Sequence, residues 1–120
     1  MARVLIIDDS AVERKIIAKA MTTLGYSIIE ATDGEEGEAK AKAIKPDIIV
    51  LDVVMPKKDG FQVCRSLKKA PETANIPVIM ITSKDQDSDK FWGMKQGAMA
   101  YLVKPFNEED LIAAVTKALA

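Results

Sequence analysis

A chain of 120 residues, 48% hydrophobic and 29% charged, has the size and composition of one globular domain, which argues against disorder. Its 17 basic and 18 acidic residues give a formal charge of -1, leaving no basic excess to neutralise a nucleic-acid backbone. Membrane insertion is not expected, because no apolar run approaches the roughly 20 residues a spanning helix needs.

The start, MARVLIIDD, turns acidic after four apolar residues and lacks the longer apolar core of a signal peptide. The single Cys64 has no internal disulfide partner, which fits a reducing cytoplasm, and the absence of histidine excludes His-based metal sites and His general bases.

Short apolar runs alternate with segments of helical period along the whole chain. Arg3 to Ile7 is rich in branched residues and too short for a helix, so it reads as a buried strand. Ser10 with Glu13 forms a capping-box pattern, and Val12, Ile16, Ile17, Ala20, Met21 and Leu24 then recur on one helical face until Gly25 stops the helix. Tyr26 to Ala31 reads as a second strand. Asp33 with Glu36 opens a second helix, which ends before Pro46. Ile48 to Leu51 is a third, very apolar strand, followed by a helix from about Phe61 to Lys69 capped by Asp59. Pro77 to Ile81 is strand four, and about Ser88 to Gln96 is helix four, closed by Gly97. Tyr101 to Val103 is strand five, and Asn107 caps a last helix rich in Ala and Leu.

Five strand–helix units in series predict an α/β fold: a five-stranded parallel sheet, order 2-1-3-4-5, with helices on both faces. Functional sites of such sheets lie at the carboxyl ends of the strands, beside the switch in strand order. Strand one ends in Asp8-Asp9, strand three in Asp52, strand four in Thr82-Ser83 and strand five in Lys104-Pro105. Each alone is an ordinary loop residue or cap. Together they put at one rim what a phosphoryl-transfer site needs. Three carboxylates held close repel by about 4 kcal/mol per pair at 4 Å and an effective dielectric of 20. A divalent cation removes that cost, and an all-oxygen donor set suits Mg2+ or Mn2+. A carboxylate nucleophile then forms an acyl phosphate, while Lys104 and Thr82 offer donors to phosphoryl oxygens.

The stretches LIIDDS, DIIVLDVVMPKKDG, PVIMITS and AYLVKPF, in this order and spacing, resemble the receiver domains of two-component response regulators over nearly the whole chain. The resemblance implies that Asp52 is the phosphoacceptor, that Asp9 binds the metal directly and Asp8 largely through water, and that the backbone carbonyl of Val54 completes the protein's share of the metal shell. It also implies that Thr82 and Lys104 bind the phosphoryl oxygens and that Lys104-Pro105 is a cis peptide. The stretch TSKDQDSDKFWGMKQGAMAYLVKP further resembles the small regulators of chemosensory systems controlling pili and twitching motility.

The resemblance implies a switch as well: Thr82 drawn to the phosphoryl group vacates space that Tyr101 moves inward to fill, altering the surface of helix four, strand five and helix five. Tyr101 otherwise reads as an ordinary half-buried strand aromatic. On helix four, Phe91 is expected to pack inward and Trp92 to be partly exposed, as a partner anchor or lying flat on its neighbours. Met94, Met99 and Cys64 read as packing residues. Val54 and Lys84 flank the path of an attacking water, and Val54 offers that water no hydrogen bond.

Residues 1–120 are thus expected to form a single receiver domain without an output domain, not a turnover enzyme. It would take phosphoryl groups from a sensor histidine kinase and dock on a protein target; a phosphate sink for a shared kinase is equally compatible. A haloacid-dehalogenase-type phosphatase would carry a second Asp two residues after its nucleophile, where this chain has Val54. A flavodoxin-like cofactor binder would follow its first strand with a Gly-, Ser- and Thr-rich loop, not Asp8-Asp9. A receiver-like protein that signals without phosphorylation would not need the full set of rim residues.

Overall fold

A computed structural model describes residues 2–120, and it contains the five strand–helix units in the expected order. The strands are β1 (Arg3–Ile7), β2 (Ser27–Ala31), β3 (Ile48–Leu51), β4 (Val78–Thr82) and β5 (Ala100–Val103). The helices are α1 (Ala11–Thr23), α2 (Gly34–Ile44), α3 (Gly60–Lys69), α4 (Asp87–Lys95) and α5 (Glu108–Leu119). All strand pairs are parallel, and the sheet order is β2-β1-β3-β4-β5.

Strand alternation divides the core into two layers. Val4 and Ile6 of β1, with Ile48 and Val50 of β3, pack against Ile17 and Met21 of α1 and Leu111 and Val115 of α5. Leu5, Ile7, Ile49 and Leu51 face the other way, onto Ala41 of α2 and Val63, Cys64 and Leu67 of α3. A strand covered on both faces must be apolar at every position, which is why the central strands read as unbroken runs.

The helix ends follow the local chemistry. Asp33 accepts from the Glu36 amide at 2.8 Å, and Asn107 from the Glu109 amide at 2.8 Å. Asp59 and Gln62 form a reciprocal capping box at 3.0 and 3.1 Å. Gly25 and Gly97, which follow α1 and α4, have φ of 83° and 110°, a conformation that glycine adopts without strain. At Ser10 only half of the expected box forms. Its hydroxyl accepts from the Glu13 amide at 3.2 Å, but its own amide donates to Asp8 Oδ1 at 2.9 Å. The Glu13 carboxylate is thereby left for another partner.

Several packing expectations are corrected. Val12 and Ile16 are 69% and 49% exposed, so the buried stripe of α1 is only Ile17, Ala20 and Met21, with Leu24 partly covered. Phe91 does not pack inward: it is 67% exposed, with the Lys95 ammonium 5.8 Å from its ring centre. The inward position of α4 belongs to Gly93, where a Cβ would stand 2.8 Å from the Tyr101 ring and 2.9 Å from Met80 sulfur. A helix that presses a glycine onto the sheet has no room there for a larger side chain. Met94 and Met99 are also exposed, whereas Cys64 is buried as expected.

The element ends shift by about one residue, with one consequence for the site. Thr82 is the last residue of β4 and fully buried, on the same face as Met80 and its partner Tyr101 on β5.

Gly60 begins α3 where the helix crosses the end of β3, and a Cβ there would collide with the Asp52 carbonyl oxygen and Val53 Cα. Because both obstacles are backbone, Gly60→Ala is expected to lower unfolding free energy by about 2–3 kcal/mol. Urea denaturation with an unchanged m-value checks this.

Candidate functional site

Strand order alone brings β1 and β3 side by side, so Asp8 and Asp52 leave the sheet as neighbours. The Asp52 amide donates to the Ile7 carbonyl at 2.9 Å, which fixes one chain end against the other. Carboxylate oxygens of Asp8, Asp9 and Asp52 lie within 4.8 Å of one another. Asp8 and Asp52 are buried, at 1% and 6% exposure, while Asp9 is exposed at the mouth.

Lys104, just past β5, reaches into this cluster. Its ammonium lies 3.1 Å from Asp8 Oδ2, 3.8 Å from Asp52 Oδ1 and 3.9 Å from Glu13 Oε2. One cation thus faces several acids. Burial, followed by the field of Asp8, pushes the Asp52 carboxyl up to about 6, and Lys104 and the Val54 amide only partly offset this. A compact set of carboxylate oxygens with too little positive charge, free of nitrogen and sulfur donors, fits a hard divalent cation.

The other expected residues fall into two groups. Val54 belongs to the cluster: its amide donates to Asp52 Oδ1 at 3.3 Å, and its side chain is 49% exposed at the rim. Thr82, Lys84 and Tyr101 form a separate hydrogen-bonded chain beside it. The Lys84 amide donates to Thr82 Oγ1 at 3.2 Å, and the Tyr101 hydroxyl donates to the Lys84 carbonyl at 2.9 Å. Lys84 therefore joins the site through its backbone, and its side chain is exposed. The Lys104 amide donates to the Thr82 carbonyl at 2.8 Å, tying this chain to the cluster. Tyr101 is turned inward and only 7% exposed; burial, then the charges of Asp89, Asp52 and Asp85, pushes its hydroxyl up to about 12.

Trp92 is not part of this assembly. It turns toward α3, lining a groove of about 240 Å³ with Phe61, Arg65 and Gln96.

Two supports escaped the sequence reading. Arg14 donates to the Asp8 carbonyl at 2.7 Å and pairs with Glu30 at 3.0 Å, bracing the turn that carries the acidic pair. Lys58 pairs with Glu38 of α2 and donates to Ser66 of α3 at 3.0 Å, anchoring the segment that follows Asp52. The spacing of Arg14 one helical turn beyond Ser10 is a local signal for the first. Nothing local marks the second.

Comparison with known proteins accords with this geometry. A family model, the response regulator receiver domain, matches residues 4–116. Protein PilH of Pseudomonas aeruginosa is 45% identical over 120 residues, covering all of this chain and 99% of that protein. The DNA-binding dual master transcriptional regulator RpaA of Synechocystis is 43% identical over 115 residues, but the chain spans only 48% of its length. Among solved structures, the chemotaxis protein CheY4 of Vibrio cholerae superposes with a TM-score of 0.92 at 34% identity, covering 99% of both chains. The chain therefore belongs to the response regulator receiver domain family, a signalling module of two-component systems.

Proposed function

We propose that Asp52 accepts a phosphoryl group from a histidine kinase and that the chain, as a single receiver unit, passes the signal to a protein target. The observation that carries this reading is the buried Asp52 carboxylate, flanked by Asp8 and Asp9 and faced by the Lys104 ammonium at 3.8 Å. Asp9, Asp52 and the backbone carbonyl of Val54 would hold Mg2+, with Asp8 acting through water; Mn2+ suits the same donors. When bound, the cation offsets the crowded carboxylates and stabilises charge on the transferring group.

The remaining steps belong to the chain. Asp52 supplies the attacking oxygen. Lys104 exchanges its bond to Asp8 for a phosphoryl oxygen, and the Thr82 hydroxyl donates to another. Because the Lys84 amide donates to that hydroxyl oxygen and the Lys84 carbonyl accepts from Tyr101, any movement of Thr82 pulls on the Tyr101 hydroxyl. The face formed by α4, β5 and α5 is the output, with Trp92 at its α3 edge as a partner anchor. Self-phosphorylation from a phosphodonor and self-dephosphorylation are the only reactions in this reading. The location is cytoplasmic, and no described helix is long and apolar enough to cross a membrane. Resemblance to the small regulators of pili and twitching motility, with full-length similarity to protein PilH, supports a place in a chemosensory motility system.

Incubation with acetyl phosphate and Mg2+ is expected to give one phosphoryl adduct on the peptide containing Asp52. Intact and peptide mass spectrometry read it; no metal-dependent adduct, or one surviving Asp52→Ala, overturns the proposal.

The raised Asp52 carboxyl also makes stability depend on pH. A carboxyl titrating near 6 when folded, against about 3.9 unfolded, favours the folded state below pH 4 and loses that contribution as pH rises through 6. Without divalent cation, the wild type is expected to lose on the order of 2 kcal/mol relative to Asp52→Asn between pH 4 and 7. Mg2+ at pH 7 should raise the Tm of the wild type and leave that of Asp52→Asn nearly unchanged.

Val54 gives an attacking water no hydrogen bond, so Val54→Asn is expected to speed loss of the phosphoryl group by roughly threefold or more, about 0.7 kcal/mol of barrier. The decay of the intact-mass adduct after donor removal measures this.

A further inference from the structure

The end of β2 grips the turn that carries the acidic pair from both sides. The Asp8 amide donates to the Ala31 carbonyl at 3.2 Å, and the Asp8 carbonyl accepts from Arg14 Nη1 at 2.7 Å. Arg14 is itself fixed by β2, because its Nε donates to Glu30 Oε1 at 3.0 Å, and its side chain is only 14% exposed. Lys40 of α2 donates to the Glu30 carbonyl at 2.6 Å and holds the strand end in turn. The carbonyl that Arg14 holds belongs to the peptide joining Asp8 to Asp9. Asp8 is buried and its carboxylate has bonds of its own, from the Ser10 amide at 2.9 Å and the Lys104 ammonium at 3.1 Å. Asp9 is exposed at the mouth, so the plane of that peptide, rather than packing, sets its direction.

We infer that Arg14 is a positioning residue of the acidic cluster: by fixing the Asp8–Asp9 peptide it aims the Asp9 carboxylate toward Asp8 and Asp52 and so sets the affinity for Mg2+. The inference rests on the reading of Asp8, Asp9 and Asp52 as a cation site. Magnesium is exacting about geometry, and a carboxylate that must first be ordered binds it less well than one already in place. Charge and positioning have opposite signs at Arg14. By charge alone, a guanidinium beside the acids repels a second cation, and its removal tightens Mg2+ binding. By positioning, its removal weakens binding.

The test is isothermal titration of the full chain with Mg2+, in the wild type, Arg14→Met and Arg14→Lys, with metal-free melting recorded beside it. Arg14→Met is expected to weaken Mg2+ binding roughly tenfold, and Arg14→Lys, which keeps the charge but not the two-pronged donor, roughly threefold. In labelling by acetyl phosphate, the half-saturating Mg2+ concentration should rise by the same factors while the rate at saturating Mg2+ is kept. Tighter or unchanged binding in Arg14→Met overturns the inference, as does a fall in the saturated rate alone. Glu30 supplies a second variant pair away from the acids. Glu30→Ala is expected to weaken Mg2+ about threefold, whereas Glu30→Gln, which keeps an oxygen to accept from Arg14 Nε, stays near the wild type. Equal weakening in both would mean that only charge acts, and would also overturn it. If the wild type binds no Mg2+, the reading of the acids as a cation site fails and the inference falls with it; if the wild type binds and Arg14→Met binds equally, only the inference fails.

Discussion

The Lys104 ammonium, shared among Asp8, Asp52 and Glu13, is the interaction on which the site depends. Carboxylates this close are tolerated in a buried setting only where positive charge reaches them. That requirement explains the architecture around it. Parallel pairing of β1 with β3 delivers the acids side by side, β4 separates β3 from β5, and the residue after β5 returns the cation across that gap. The two apolar layers hold these strand ends in register, while Arg14 and the Lys58–Glu38 pair brace the turns that carry the charges.

Much of this was legible because it is written locally. Strand runs of branched residues, caps at Ser10, Asp33, Asp59 and Asn107, and glycines at Gly25 and Gly97 are each set by neighbours a few residues away. The rim residues were legible for another reason: once the order of strands is known, their carboxyl ends must meet. What could not be read locally was the filling of space. Phe91, Val12 and Ile16 carry apolar side chains at positions the period allows to be buried, yet burial depends on how closely each helix approaches the sheet. Gly93 lets α4 sit against Tyr101 and Met80, which turns Phe91 outward. Ser10 gives a subtler case, since Asp8 competes with Glu13 for its amide and takes it.

The chain of hydrogen bonds from Thr82 through the Lys84 backbone to Tyr101 links a buried hydroxyl to a buried aromatic. Thr82 and Tyr101 share one face of neighbouring strands, bridged by the loop after β4. Coupling of this kind is short, and each link is a backbone group or a side chain held by packing.

The absent methyl of Gly93 carries this further. The room occupied by the inward Tyr101 ring is created by volume missing from α4. In the proposed switch, the volume missing at Gly93 would help set the balance of states, and by linkage that balance would bear on the phosphate chemistry in turn. A methyl group added at Gly93 would press on the Tyr101 ring and Met80, so one small volume on α4 governs how closely that helix lies on the sheet.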